Sequence, residues 1–316
     1  MASRFDLRGV VSPLATPLTS DADVDTFSLK RLIEFQIAAG VNGFWVLGST
    51  GEFECLTDQQ RRVVIDTTIE TVAGRVPVIV GTIDVGTERS IEQGRHAKAA
   101  GADGIFTTPP IYMPAAQAEI RVHCTRLREA VDLPLVLYDA RYATRTPIEI
   151  ETLQSLAGSG AIQGLKDSSD DWASLRQLVA ATQGLKDFAI VTGNDCMMDA
   201  ALLFGARGCI ASNANVVPEL YAGIYTAAQA GDWAQAAVLQ NRAAAVARYA
   251  LCGSSEGTFI SRFFIGFKCA LKARGLIETA TIGAPFLQAT AADELAVRTL
   301  LQSEGIELPS PRMPMS

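Results

Sequence analysis

The sequence predicts an α/β fold, a (β/α)8 or TIM barrel with a C-terminal helical extension, and three observations lead there. One phrase recurs: AAGVNGFWVLG (38–48), AAGADGIFTTP (99–109) and LFGARGCIASN (203–213) each read as a helix ended by glycine, a two-residue link, a second glycine and an apolar strand. Strand-like runs begin near Val10, Gly43, Val76, Gly104, Leu133, Ile162, Phe188 and Gly208, which makes eight. The runs are continuously apolar rather than alternating, as expected where helices cover both faces of a parallel sheet.

The elements follow in order. The opening stretch, MASRFDLRGVV, has no basic segment leading into an uninterrupted apolar run, so no signal peptide is expected. Helical patterns then separate the strands at 26–39, 57–73, 88–100, 116–131, 149–158, 172–183, 196–204 and 218–230. Glycine just past a helix end supplies the left-handed residue that a short link into a buried strand requires. Eight such units over 1–230 fit one barrel. A doubly wound open sheet is the alternative, weakened by the lack of G-x-G-x-x-G after the first strand. Beyond Gly231 the strand signals stop, and 232–251, 257–274 and 290–304 read as three helices. Residues 231–308 are therefore expected to form an extension packed on the barrel, and 309–316 a frayed tail.

Bulk properties narrow the function. With 316 residues, 48% hydrophobic and 19% charged, the chain has material for a large core. A net charge of −7 and no basic cluster argue against a nucleic-acid partner. No run of about 18 uncharged apolar residues exists, since Arg242 and Arg248 interrupt the Ala-rich stretch 233–251, so no membrane span is expected. Six scattered cysteines without C-x-x-C read as reduced thiols of a cytoplasmic protein. The two histidines, His96 and His123, fall in helical patterns, so neither a metal site nor a histidine-based triad is expected. No P-loop occurs.

In a barrel of this kind the site lies at the C-terminal ends of the strands. There the sequence places GSTGE (48–52), Tyr138 in PLVLYDA, Lys166 in IQGLKDSSDD, VTGND (191–195) and CIASNAN (209–215). An apolar strand seldom closes on lysine, because a buried ammonium is costly unless compensated. A free amine is neutral in only about one molecule in 2,500 at pH 7, and desolvation raises that fraction steeply. Such an amine attacks a ketone to form a Schiff base, and a neighbouring phenol can move the protons the reaction needs. Ser49-x-x-Glu52 fits a helix cap, yet Thr57-x-x-Gln60 marks the helix start more naturally and frees 48–52 to bind a carboxylate.

With these residues in view the chain resembles the dihydrodipicolinate synthase / N-acetylneuraminate lyase family over nearly its whole length. The resemblance rests on GSTGE (48–52), TPPIYMP (108–114), Tyr138, GLKD (164–167), Gly193 and IASNAN (210–215). It implies that Lys166 forms an imine with pyruvate or a related 2-oxo acid, with no metal or nucleotide cofactor. It implies that Ser49 and Thr50 bind the keto-acid carboxylate, with Gly48, Gly51, Gly193, Asn194, Ile210 and Ser212 around the substrate. Thr50 would join Tyr138 in a proton relay, which Tyr112 would complete from a neighbouring subunit in a homo-oligomer, a dimer of dimers. Two positions depart from the pattern. Where the synthases carry an arginine for the aldehyde's carboxylate stands Ala143, with Arg141 and Arg145 on either side as substitutes. Asp170 stands where glycine is frequent, and aspartate adopts the left-handed conformation at modest cost. The expectation is a Schiff-base lyase or aldolase with a hydroxylated aldehyde or sugar-acid type second substrate. The alternatives are a true 4-hydroxy-tetrahydrodipicolinate synthase and a catalytically silent 2-oxo-acid-binding barrel.

Overall fold

The computed structural model describes residues 5–185, 187–252 and 256–309. Eight parallel strands close on themselves in sequence order: β1 (Gly9–Pro13), β2 (Gly43–Val46), β3 (Val78–Gly81), β4 (Gly104–Thr107), β5 (Leu135–Asp139), β6 (Gly164–Asp167), β7 (Ala189–Thr192) and β8 (Gly208–Ile210). Every strand residue is buried, which is why the strands read as unbroken apolar runs.

The intervening helices are α1 (Thr26–Ala38), α2 (Asp58–Val72), α3 (Thr87–Ala100), α4 (Gln117–Val131), α5 (Arg141–Thr144), α6 (Ile150–Gly158), α7 (Trp172–Thr182), α8 (Met198–Phe204) and α9 (Pro218–Gln229). Their starts follow the capping residues: Thr57 and Gln60 form the reciprocal box at α2, and Asp25 and Asp171 cap α1 and α7. The helix α5 has no counterpart in the sequence reading. Its four residues are too few for a hydrophobic period to register.

Beyond the eighth unit lie α10 (Trp233–Ala247), α11 (Phe259–Ala273) and α12 (Ala291–Ser303). Helix α10 packs on α8 and α9, while α11 packs on α12 and on the turn that ends α10. The expected tail, beyond Pro309, lies outside the described residues.

The extension also reaches the barrel mouth. Lys268 of α11 is fully buried and meets the equally buried Glu52 at 2.8 Å. Its ammonium also donates to the carbonyls of Thr16 (2.7 Å) and Thr281 (3.0 Å). The other oxygen of Glu52 accepts from the Gly283 amide at 2.7 Å. A buried ion pair is tolerated when geometry and further hydrogen bonds offset the desolvation of both charges, and here two carbonyls add to the ammonium's side and one amide to the carboxylate's.

Candidate active site

Tyr138 and Lys166 are paired residues of neighbouring strands, so their side chains leave the sheet on the same face at the same height. The lysine ammonium lies 4.2 Å from the centre of the Tyr138 ring and 5.5 Å from the Trp45 ring. Trp45 stacks on Phe106 with ring centres 3.6 Å apart and meets Tyr138 edge-on. This aromatic plug fills the barrel below the amine and keeps water from it, leaving Lys166 6% exposed. Burial pulls the Lys166 pKa down, while the charges of Tyr142, Asp195 and Cys209 act the other way. Gly193 makes room for the lysine stem, because a Cβ there would lie 2.8 Å from Lys166 Cε and 2.0 Å from Ser168 Oγ.

The three-residue turn Ser49–Gly51 follows β2, closed by the amides of Gly51 and Glu52 onto the carbonyls of Gly48 and Ser49. The amides of Ser49 and Thr50 open that turn, as the first amides of any helical turn do, and suit a carboxylate. Thr16 holds the loop from below by donating to the Gly51 carbonyl at 2.7 Å. The two hydroxyls part company. Thr50 Oγ1 meets Ser212 Oγ at 2.8 Å, whereas Ser49 Oγ meets the Tyr142 hydroxyl at 2.9 Å. The expected link of Thr50 to the tyrosines therefore passes to Ser49, since consecutive side chains in a turn of three residues point about 120° apart.

Tyr142 is the site residue that the sequence reading missed. Its hydroxyl lies 3.1 Å from that of Tyr138, so Tyr138, Tyr142 and Ser49 form a connected hydroxyl chain. Desolvation raises the Tyr138 pKa, and hydrogen bonding by Tyr142, Ser168 and Ser49 works against that rise. Desolvation and the nearby Tyr138 hydroxyl likewise raise Tyr142. The one available signal was its place four residues after Tyr138.

Other expected residues are placed as follows. Ile210 ends β8 and is fully buried. Asp195 accepts from the amides of Ser212 (2.9 Å) and Asn213 (2.8 Å), and desolvation pushes its carboxyl up to about 6. Asn194 is turned away, donating to Asp170 at 2.8 Å and accepting from the Cys196 amide. Asp170 adopts the left-handed conformation, with φ of 56°. Arg141 does not turn to the mouth. Its guanidinium grips buried Asp139 at 2.9 Å and reaches Ser174 of α7, on the helix side of the sheet. Asp139 neighbours Tyr138 in the strand and so points the opposite way. Arg145 is exposed and follows α5 with φ of 55°. Tyr112 is 90% exposed on a strained backbone, with φ of 83°, and projects from its own chain.

Among the described residues no group of three or more His, Cys, Asp or Glu side chains could hold a metal, and no helix is long and apolar enough to cross a membrane. His123 is a core residue, bridging Thr87 (2.9 Å) and Thr107 (3.1 Å).

A closed barrel with its lysine and tyrosines gathered at the strand ends is the architecture of the lyase family that the chain matches. Residues 6–304 match the Dihydrodipicolinate synthetase family, and the chain belongs to it. It is 32% identical over 250 residues to a 4-hydroxy-tetrahydrodipicolinate synthase of Gluconacetobacter diazotrophicus, covering 79% of this chain and 84% of the relative. It is 31% identical to the probable 2-dehydro-3-deoxy-D-pentonate aldolase YjhH of Escherichia coli K12, covering 94% and 97%. Among solved structures, YagE of E. coli K12, a family member in complex with pyruvate, superposes with a TM-score of 0.88 at 28% identity, covering 95% and 99%. The Bacteroides thetaiotaomicron dihydrodipicolinate synthase gives 0.89 at 31% identity, covering 94% and 98%.

Proposed function

We propose that the protein is a class I lyase that binds pyruvate or a related 2-oxo acid as an imine on Lys166. The observation that carries this reading is the buried amine in register with Tyr138, above an aromatic floor and beside a carboxylate-sized loop. The neutral amine adds to the ketone carbon, Tyr138 gives the oxygen its proton, and the newly bonded nitrogen returns one of its own protons to Tyr138. The resulting carbinolamine loses water, leaving an iminium that draws electrons from the adjacent carbon and stabilises a carbanion there. The amides of Ser49 and Thr50, with the Thr50 hydroxyl, receive the carboxylate.

For the second substrate we propose a hydroxylated aldehyde or the distal part of a sugar acid. Ala143 offers no guanidinium, and Arg141 is held by Asp139 on the other side of the sheet. The pentonate aldolase among the relatives supports the same direction. The synthase relatives favour pyruvate and aspartate semialdehyde instead, a reading that needs Arg145 to turn inward.

The test is borohydride reduction in the presence of pyruvate. The intact protein should gain one reduced pyruvyl mass, and peptide mapping should place it on Lys166. No gain, or a label on another lysine, rejects the imine. Efficient condensation of pyruvate with aspartate semialdehyde, with kcat/KM above about 10⁴ M⁻¹s⁻¹, would reject the hydroxylated second substrate.

A further inference from the structure

Tyr138 is 3% exposed, so a proton it gives up must come back through a neighbour. In carbinolamine dehydration the C–O bond breaks with its electron pair, the departing hydroxyl takes the Tyr138 proton and leaves as water, and Tyr138 remains as phenolate. A phenolate buried beside an aromatic floor is unfavourable, and desolvation already resists its formation. The hydroxyl 3.1 Å away belongs to Tyr142, a residue that is 56% exposed while its hydroxyl oxygen meets Tyr138 and Ser49. One side chain thus touches both the interior phenol and the open mouth.

Its position is fixed. Helix α5 begins at Arg141, anchored on buried Asp139, and Thr144 at its end donates to the Ala140 carbonyl at 3.2 Å. Tyr142 lies between these two ties. Tyr112, by contrast, extends away from its own chain at 90% exposure.

We propose that Tyr142 is a further member of the proton relay, supplied by the same chain, and that it returns protons to Tyr138 from Ser49 and the solvent at the mouth. The inference rests on the imine reading. Each turn balances: Tyr142 passes its hydroxyl proton to the Tyr138 oxygen and recovers one from Ser49 or water.

The experiment needs pyruvate only. Exchange of the pyruvate methyl protons in D2O is followed by NMR for wild type, Tyr142→Phe and Tyr112→Phe, and borohydride trapping is timed in parallel. Tyr142→Phe should slow exchange and trapping by about a hundred-fold or more, the scale of a lost proton-transfer group. Half-saturation by pyruvate should stay within about twofold, and the solvent isotope effect should rise, which a mere packing role would not produce. Tyr112→Phe should slow exchange less than Tyr142→Phe does. Circular dichroism and the melting temperature check that each variant is folded. Should Tyr142→Phe stay within about twofold of wild type, or Tyr112→Phe be the slower variant, the relay assignment is overturned. Should wild type fail to trap pyruvate on Lys166, the imine reading falls first and takes the relay with it.

Discussion

Gly193 and Lys166 compete for one small volume. Any side chain at 193 would press on Ser168 Oγ and the lysine stem, so Gly193→Ala must displace one of them. Overpacking of this kind costs about 1–3 kcal/mol, and here the strain falls on the reactive group. The variant should fold with a lowered melting temperature and lose pyruvate trapping at Lys166; normal trapping kinetics would show that the lysine has room to spare. Lys166 and Tyr138 were legible in the sequence because each ends an apolar strand, where a polar side chain stands out. Tyr142 was not, because a helix of four residues shows no period against which one aromatic can be judged. The division of labour between Ser49 and Thr50 was equally hidden, since it depends on the turn's rotation.

Helix α4 is tied to the sheet by a buried imidazole. His123 joins Thr87 at the start of α3 to Thr107 at the end of β4, and burial pushes its pKa down to about 4. Folding therefore favours the neutral ring. The unfolded chain takes up a proton near pH 6.5 and the folded one only near 4, so stability from this group is complete above 6.5 and is lost as pH falls between the two. At pH 5 the loss amounts to about 2 kcal/mol. Asp139 and Asp195, whose carboxyls burial pushes up to about 6, act in the opposite sense. Comparison of wild type with His123→Gln removes their shared contribution. Urea midpoints at pH 8 and pH 5 should show wild type losing more stability than the variant; equal losses would mean that His123 is protonated in the fold. At this scale the sequence reading did well on strands and long helices, where period and capping residues agree. It missed α5, which is held by the Arg141–Asp139 pair and packing at the mouth rather than by local preference.

Across the whole molecule, Glu52 and Lys268 join the site loop to the last third of the chain. Glu52→Gln leaves a buried ammonium short of its counter-ion, which typically costs about 3–5 kcal/mol. Lys268→Met should cost as much, and the double replacement Glu52→Gln with Lys268→Met should cost less than the sum, measured by urea unfolding. Additive losses would show that the pair is not coupled. Nothing local announced this contact, because its halves lie far apart in sequence and each reads as an ordinary charged residue. The pair also sets an order of events during synthesis. The ribosome completes the eighth strand's residues at Ile210, by which point every strand segment and Lys166 have been made. Yet Glu52, next to the Ser49–Gly51 turn, lacks its buried partners until Lys268 and then Gly283 have been made. The lysine that would act as nucleophile is thus made about a hundred residues before the last tie on the loop beside it.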